Sequence, residues 1–217
     1  MLAGCTVSNQ RVASPADFSK PPSGSTFALV QPDVSLGLLG AVGIVEPRKD
    51  WSDAARTNLT AALSSELARR GQGATTISFD AEGNDRIIQI LHLNDAVGQS
   101  IQTFSYGLYT LPTKKGFDWT LGEGANVIRD QHGADFALFI NAKGSYASSG
   151  RVATMIGAAL LGVSVPLGGQ TIQASLVELK TGRIVWYNLA VAGPNADMRS
   201  PEGAAALVAS LMEKAPL

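Results

Sequence analysis

Hydrophobic and polar positions along this chain switch between two periods, and the switches outline its elements. The run FALV at 27–30 reads as a short strand ended by Gln31-Pro32-Asp33. Apolar runs at 34–39 and 41–45, split by Gly37 and Gly40, read as a loose hairpin. After Trp51 the period lengthens. Ala55, Leu59, Ala62, Leu63 and Leu67 recur along one helical face. Ser52 is expected to cap this helix with Asp53 at its positive end, and Arg69-Arg70-Gly71 to close it. TTISF at 75–79 is a strand pattern. Ile87, Ile88, Leu91, Val97, Ile101 and Phe104 predict a second helix, interrupted near Gly98, and a loop with an aromatic cluster follows at 106–119. A third helix is expected over 121–132, ended by Gly133, and FALFINAK at 136–143 has the continuous apolar character of a buried strand. Residues 171–179 and 183–191 flank Lys180-Thr181-Gly182, which predicts a hairpin. In the last helix Ser200 caps, Pro201 suits the first position, Glu202 lies in the first turn, and Ala205, Leu207, Val208, Leu211 and Met212 follow.

Strands and helices interleave, and a hairpin precedes the final helix. The predicted fold is therefore α/β (α+β), a mixed β-sheet with packed helices and a C-terminal β-hairpin followed by a helix, not a purely parallel doubly wound sheet. One domain is expected over 27–217. Ahead of it, TVSNQRVASPADFSKPPSGST at 6–26 is polar and aperiodic, as a flexible spacer is. Within it, VATMIGAALLGVSVPL at 152–167 carries no charge. It is shorter than the roughly 20 residues of a membrane-spanning helix, and Gly157, Gly162 and Pro166 weaken it as a helix. Three placements are open for this insert: buried in the domain or against a partner subunit, dipping into a lipid interface, or spanning a membrane. Met155, Ile156, Leu160, Leu161 and Val163 are the candidate interface residues, since an exposed patch this apolar marks an interaction site.

Composition narrows the function. Of 217 residues, 45% are hydrophobic and 16% charged, enough apolar surface to offset the entropy of folding. Lys+Arg 17 against Asp+Glu 18 leaves a net charge of -1, so nothing in the bulk charge points to nucleic acid or to an acidic membrane. Two histidines and one cysteine exclude a zinc finger, an iron–sulfur cluster and an internal disulfide framework, and no metal or cofactor is expected. The single cysteine stands in Leu2-Ala3-Gly4-Cys5, which resembles a bacterial lipobox. Small residues before the thiol let an extended backbone enter a peptidase cleft. The thiol then takes a diacylglycerol and the freed amine a further chain. Two or three acyl chains anchor stably where one is marginal. Residues 1–4 then read as the remnant of a signal peptide, whose basic and apolar regions need more than four residues, and 5–26 as the lipidated cysteine and its tether. Thr6 and Val7, in place of an aspartate, resemble the pattern sorted to the outer membrane.

Two segments carry a wider resemblance. They are Gly133-Ala134-Asp135 with FALFI behind it, and ASLVELKTGRIVW at 174–186. They are similar to a signature of bacterial envelope lipoproteins related to the TolB amino-terminal domain, the curli secretion lipoprotein and the lipoprotein activators of penicillin-binding proteins. More narrowly, Pro32-Asp33-Val34, Glu46-Pro47-Arg48, FDWTLG at 117–122 and SYASSGR at 145–151 resemble a family of uncharacterised proteobacterial envelope lipoproteins. The resemblance implies an address and an α/β domain whose final hairpin precedes a helix, and it implies no activity. The chain departs from the curli channel in lacking a pair of long alternating segments of membrane-barrel type.

No catalytic motif emerges. There is no G-x-S-x-G elbow. His92 and His132 have no partner at metal spacing; His132 suits a helix end, and His92, between Leu91 and Leu93, reads as partly buried. Gly122-Glu123-Gly124 reads as a turn, and Asp33, Asp50, Asp53, Asp80, Asp118, Glu123 and Asp135 are scattered. Trp119 and Tyr146 are the candidate ligand-binding residues, with Trp51 and Trp186 as further aromatics for a glycan groove or simply for the core. The sequence thus reads as a non-enzymatic lipoprotein on the periplasmic face of the outer membrane. It would act by protein–protein contact in envelope assembly or export. Its partners would be the bilayer, through acylated Cys5, and envelope proteins or copies of itself, with no nucleic acid. The alternatives are a glycan- or peptidoglycan-binding module and a hydrolase with an unrecognised carboxylate site.

Overall fold

A computed structural model describes residues 6–13, 18, 20–78, 84–107, 109–114, 116–193 and 195–217. The longest strand, β7 (Phe136–Ala147), organises the sheet. Its lower half pairs in parallel with β2 (Phe27–Val30) and its upper half in parallel with β3 (Asp33–Leu39), the two separated by Gln31-Pro32. Proline lacks the amide a ladder needs, so one long strand becomes two. Beyond β2 lies β5 (Ala74–Ile77), parallel; beyond β3 lies β4 (Val45–Pro47), antiparallel. On the other side β7 pairs antiparallel with β8 (Gly168–Glu178), and β8 with β9 (Arg183–Val191), across the expected turn. The short β6 (Trp119–Thr120) pairs with the start of β9. The sheet is mixed, as expected.

Alternation along β7 divides the core in two. Phe136, Leu138, Ile140 and Ala142 face one layer, and Ala137 and Phe139 the other. The first layer is α1 (Lys49–Arg69) and α5 (Pro201–Met212); the second is α2 (Asp85–Ile101) and α3 (Asn126–His132). A bulge between Leu176 and Val177 of β8 leaves Val185 of β9 without a partner. Val185 and Trp186 consequently join the same core layer, which strict alternation does not allow.

The last helix starts as its sequence indicates, with Ser200 Oγ accepting from Gly203 N at 3.1 Å. Other boundaries move. The first helix begins at Lys49, with Arg48 in the capping position. Ser52 is inside the first turn: its hydroxyl donates to Arg48 O and accepts from Leu36 N, so it fastens α1 to β3 instead of capping. Helix α2 runs unbroken through Gly98, which lies against Gln173 of β8, and widens only afterwards into a π turn over Gln102–Tyr106. The third helix is shorter than expected, because Leu121 N donates to Gly182 O, Gly122 takes φ 73° and a 3-10 turn fills Glu123–Ala125.

The largest departure lies in the segment read as a flexible tether. Residues Val7–Val12 form β1, antiparallel to β9 over their whole length. The reason is tertiary. Trp186 Nε1 donates to Gln10 Oε1 at 3.0 Å, Arg11 donates to Ser105 O, and Tyr106 donates from its hydroxyl to Asn9 O at 2.6 Å. An edge strand with polar side chains has no hydrophobic period to announce it.

Candidate functional site

Five strand ends converge at one end of the sheet: the start of β1, the end of β9, the start of β8, and the ends of β7 and β3. Val7 pairs with Val191, Val191 with Thr171, Thr171 with Lys143, and Lys143 with Ser35, so these residues share one rung. Above the rung, β3 turns through residues 40–44 into β4, and β7 passes into α4 (Ser149–Ala159). Ser148 caps α4 with its hydroxyl, accepting from Arg151 N at 3.1 Å, and its own amide donates to Leu39 O. The chain returns through residues 160–167 to β8.

This end is apolar and exposed. The insert is not buried within the chain: α4 has no buried residue, Met155 is half-buried, and Ile156, Val163 and Leu167 are exposed. Leu160 and Leu161 expose 85% and 83% of their surface. Sequence reasoning did not foresee that the β3–β4 turn joins them. Val42 is 83% exposed, Ile44 and Val45 are exposed as well, and Arg151 ties the two segments together. Its guanidinium donates to Ala41 O at 3.3 Å and to Pro166 O at 3.0 Å. Arg151 is the only charged residue between 148 and 167, and residues 40–45 carry none. Among the described residues, no helix is long and apolar enough to cross a membrane. Cys5 lies outside the described residues. Thr6, the residue after it, accepts from Gly193 N at this same end of the sheet.

The two candidate ligand-binding residues lie on opposite faces of the sheet. Tyr146 packs against the α1/α5 layer, and Trp119 belongs to the α2/α3 layer. The Tyr146 ring meets Trp51 edge-on at 5.5 Å, with the Arg199 guanidinium 3.4 Å from its centroid. Its hydroxyl donates toward Gln170 Oε1 and Asp197 Oδ1, each at 2.6 Å. Burial raises the Tyr146 pKa, and Asp197 adds to the shift. Burial opposes the charge on Asp197, yet the bonds from Arg199 and Tyr146 outweigh it and hold this carboxyl at about 2. The cluster clasps the start of α1 and the loop before α5 onto the end of β7. Trp119 is only 9% exposed, its ring covered by the Lys114 ammonium at 4.6 Å, beside a cleft of about 290 Å³ lined by Arg11, Phe104 and Phe117. One groove floored by both aromatics is therefore not formed. Trp186 is wholly buried.

A polar cluster that no motif announced lies between α2 and the sheet. Gln102 donates to Gln173 Oε1 and to the Tyr187 hydroxyl, Tyr187 donates to Gln173, and Gln173 donates to Asp95 Oδ1. Lys143 pairs with Asp95 at 3.1 Å across a cleft of about 210 Å³. Burial raises the Tyr187 pKa. These groups satisfy one another, as buried polar groups must.

Four of the sequence's candidate carboxylates serve structure. Asp50 pairs with Arg48, Asp53 with Lys49 and Arg56, and Asp33 accepts from Asn141. Asp135 accepts from Thr26, whose amide and hydroxyl hold its pKa down. Asp80 lies outside the described residues. No group of three or more His, Cys, Asp or Glu suited to a metal occurs among the described residues. His92 is exposed, not half-buried, while His132 ends α3 with Nε2 buried and no hydrogen-bond partner.

No family profile and no curated protein matches the sequence. Among solved structures the chain is similar to the PelC dodecamer from Paraburkholderia phytofirmans, at 11% identity and a TM-score of 0.38, over 95% of this chain and 96% of that one. It is similar to lipoprotein GNA1162 from Neisseria meningitidis at 12% identity and a TM-score of 0.36, over 79% and 85%. The C-terminal domain of LpoB from Salmonella enterica follows at 17% identity and a TM-score of 0.31, over 78% and 85%.

Proposed function

We propose that this chain is a lipid-anchored, non-enzymatic envelope protein on the periplasmic face of the outer membrane. It works by contact with other envelope components, in assembly or export, and not by turnover. The observation that carries this reading is the exposed apolar end of the sheet. Soluble monomers rarely expose contiguous apolar patches beyond a few hundred Å², and here the β3–β4 turn, α4 and the return segment place their apolar side chains side by side. The lipobox-like Leu2-Ala3-Gly4-Cys5 supplies the anchor. The opposite end, around the 180–182 turn, offers a cleft of about 340 Å³ with Arg129, Asp135, Glu178 and Lys180 on its rim, a polar surface suited to protein partners.

Fractionation of cells expressing the full-length protein tests the anchor. Cys5→Ser is expected to move the protein from the membrane to the soluble fraction. Retention of the variant at wild-type level contradicts lipid anchoring through this residue.

A further inference from the structure

The apolar end of the sheet has several conceivable occupants, and three observations select one. The first is direction. Cys5 is the residue joined to Thr6 in the chain. Thr6 is held to Gly193 beside the Val7–Val191 rung. That rung runs from β1 through β9, β8 and β7 to β3, a width of roughly 20 Å at the usual strand spacing. Acyl chains on Cys5 would leave the fold at the end that bears Val42, Ile156, Leu160 and Leu161.

The second observation is chemistry. The β3–β4 turn and residues 148–167 contain no carboxylate and no aromatic ring, and their one charge is the Arg151 cation. An apolar surface that carries one basic group and no carboxylate is suited to acyl chains and anionic headgroups. The third is shape. The most exposed side chains, Val42, Leu160 and Leu161, lie in two neighbouring turns and not on a flat helix face. Turn tips of this kind fit between headgroups without burying a long stretch of backbone.

We infer that the β3–β4 turn and the α4–β8 segment dip into the lipid leaflet to which Cys5 is tethered, fixing the domain's orientation on the membrane. This rests on the reading of Cys5 as the anchor, and the two are separable. With Cys5 acylated, Leu161→Cys carries a single reactive thiol for a nitroxide label, and Lys180→Cys places the same label at the far end of the sheet. The acylated full-length chains are reconstituted in phosphatidylethanolamine–phosphatidylglycerol vesicles. Collision of each label with oxygen, which partitions into lipid, is compared with collision with a polar nickel complex. The oxygen-to-nickel ratio is expected to be several-fold higher at 161 than at 180. Equal ratios on an acylated chain overturn the docking while leaving the anchor intact. So does a label at 161 shielded from both reagents, which reveals a protein partner on this surface. The mass of the N-terminal peptide, with or without acyl chains, decides the anchor separately, and a peptide without them removes the ground for placing lipid here.

Discussion

Glu66 shows how much rests on single side chains. It is 9% exposed, accepts from Arg69 and Arg70, and Arg70 reaches on to the carbonyls of Met212 and Ala215 at the end of α5. The bonds from Arg69, then those from Arg70, hold its carboxyl at about 2 against the opposing effect of burial. A depressed folded-state pKa means that this stabilisation is fully present above the ordinary glutamate value and is lost as pH falls towards about 2. Asp197, also at about 2, behaves in the same way. Glu66→Gln is expected to cost about 1.5–3 kcal/mol at pH 7, the range for a hydrogen bond to a charged group. The difference from wild type should shrink between pH 4 and pH 2 in urea titrations. Gly182 is constrained by geometry instead. At φ 70° its missing Cβ would sit 2.0 Å from Gly122 O. Gly182→Ala should therefore lower stability by more than the roughly 1–3 kcal/mol of left-handed strain alone, measured as a fall in Tm.

At the scale of elements, β1 and α4 show how neighbours decide what a segment becomes. The polar VSNQRV run is a strand because β9 offers an unpaired edge and the π turn offers Ser105 O and the Tyr106 hydroxyl. Hydrogen exchange should find the β9-facing amides of 7–12 protected well beyond a free tether. Gln10→Ala should cost about 1–3 kcal/mol, because it orphans the buried indole N–H of Trp186. The reverse holds for 152–167. Its hydrophobicity suggests burial, yet the two core layers are already filled by α1, α5, α2 and α3. Helix α4 is left at the end of the sheet, where Arg151 binds it to the β3–β4 turn.

For the whole molecule, this separation of core from apolar end has a measurable consequence. Leu160→Ser with Leu161→Ser should leave folding stability unchanged within about 0.5 kcal/mol per site, as surface substitutions do. On the acylated, vesicle-bound chain the same pair should lower the oxygen-to-nickel collision ratio of a nitroxide placed at Val42→Cys, beside these leucines. A large loss of stability would show instead that these leucines pack within the fold.

The mixed sheet, the C-terminal hairpin and the capped final helix were legible in the sequence, because each rests on local chemistry: period, turn residues, a serine before a proline. The insert at 152–167 was legible as an anomaly, and Met155, Ile156, Leu160, Leu161 and Val163 were named on hydrophobicity alone. Residues far apart in the chain settled the rest. The strand at 7–12 depends on Trp186, Ser105 and Tyr106; the separation of Trp119 from Tyr146 depends on which face of the sheet each occupies; the bulge at Val185 appears only when β8 and β9 pair. The joining of the β3–β4 turn to α4 depends on one guanidinium that reaches two backbone carbonyls. Periodicity reports what a segment prefers to bury, but only the packed sheet decides whether any surface is left to bury it against.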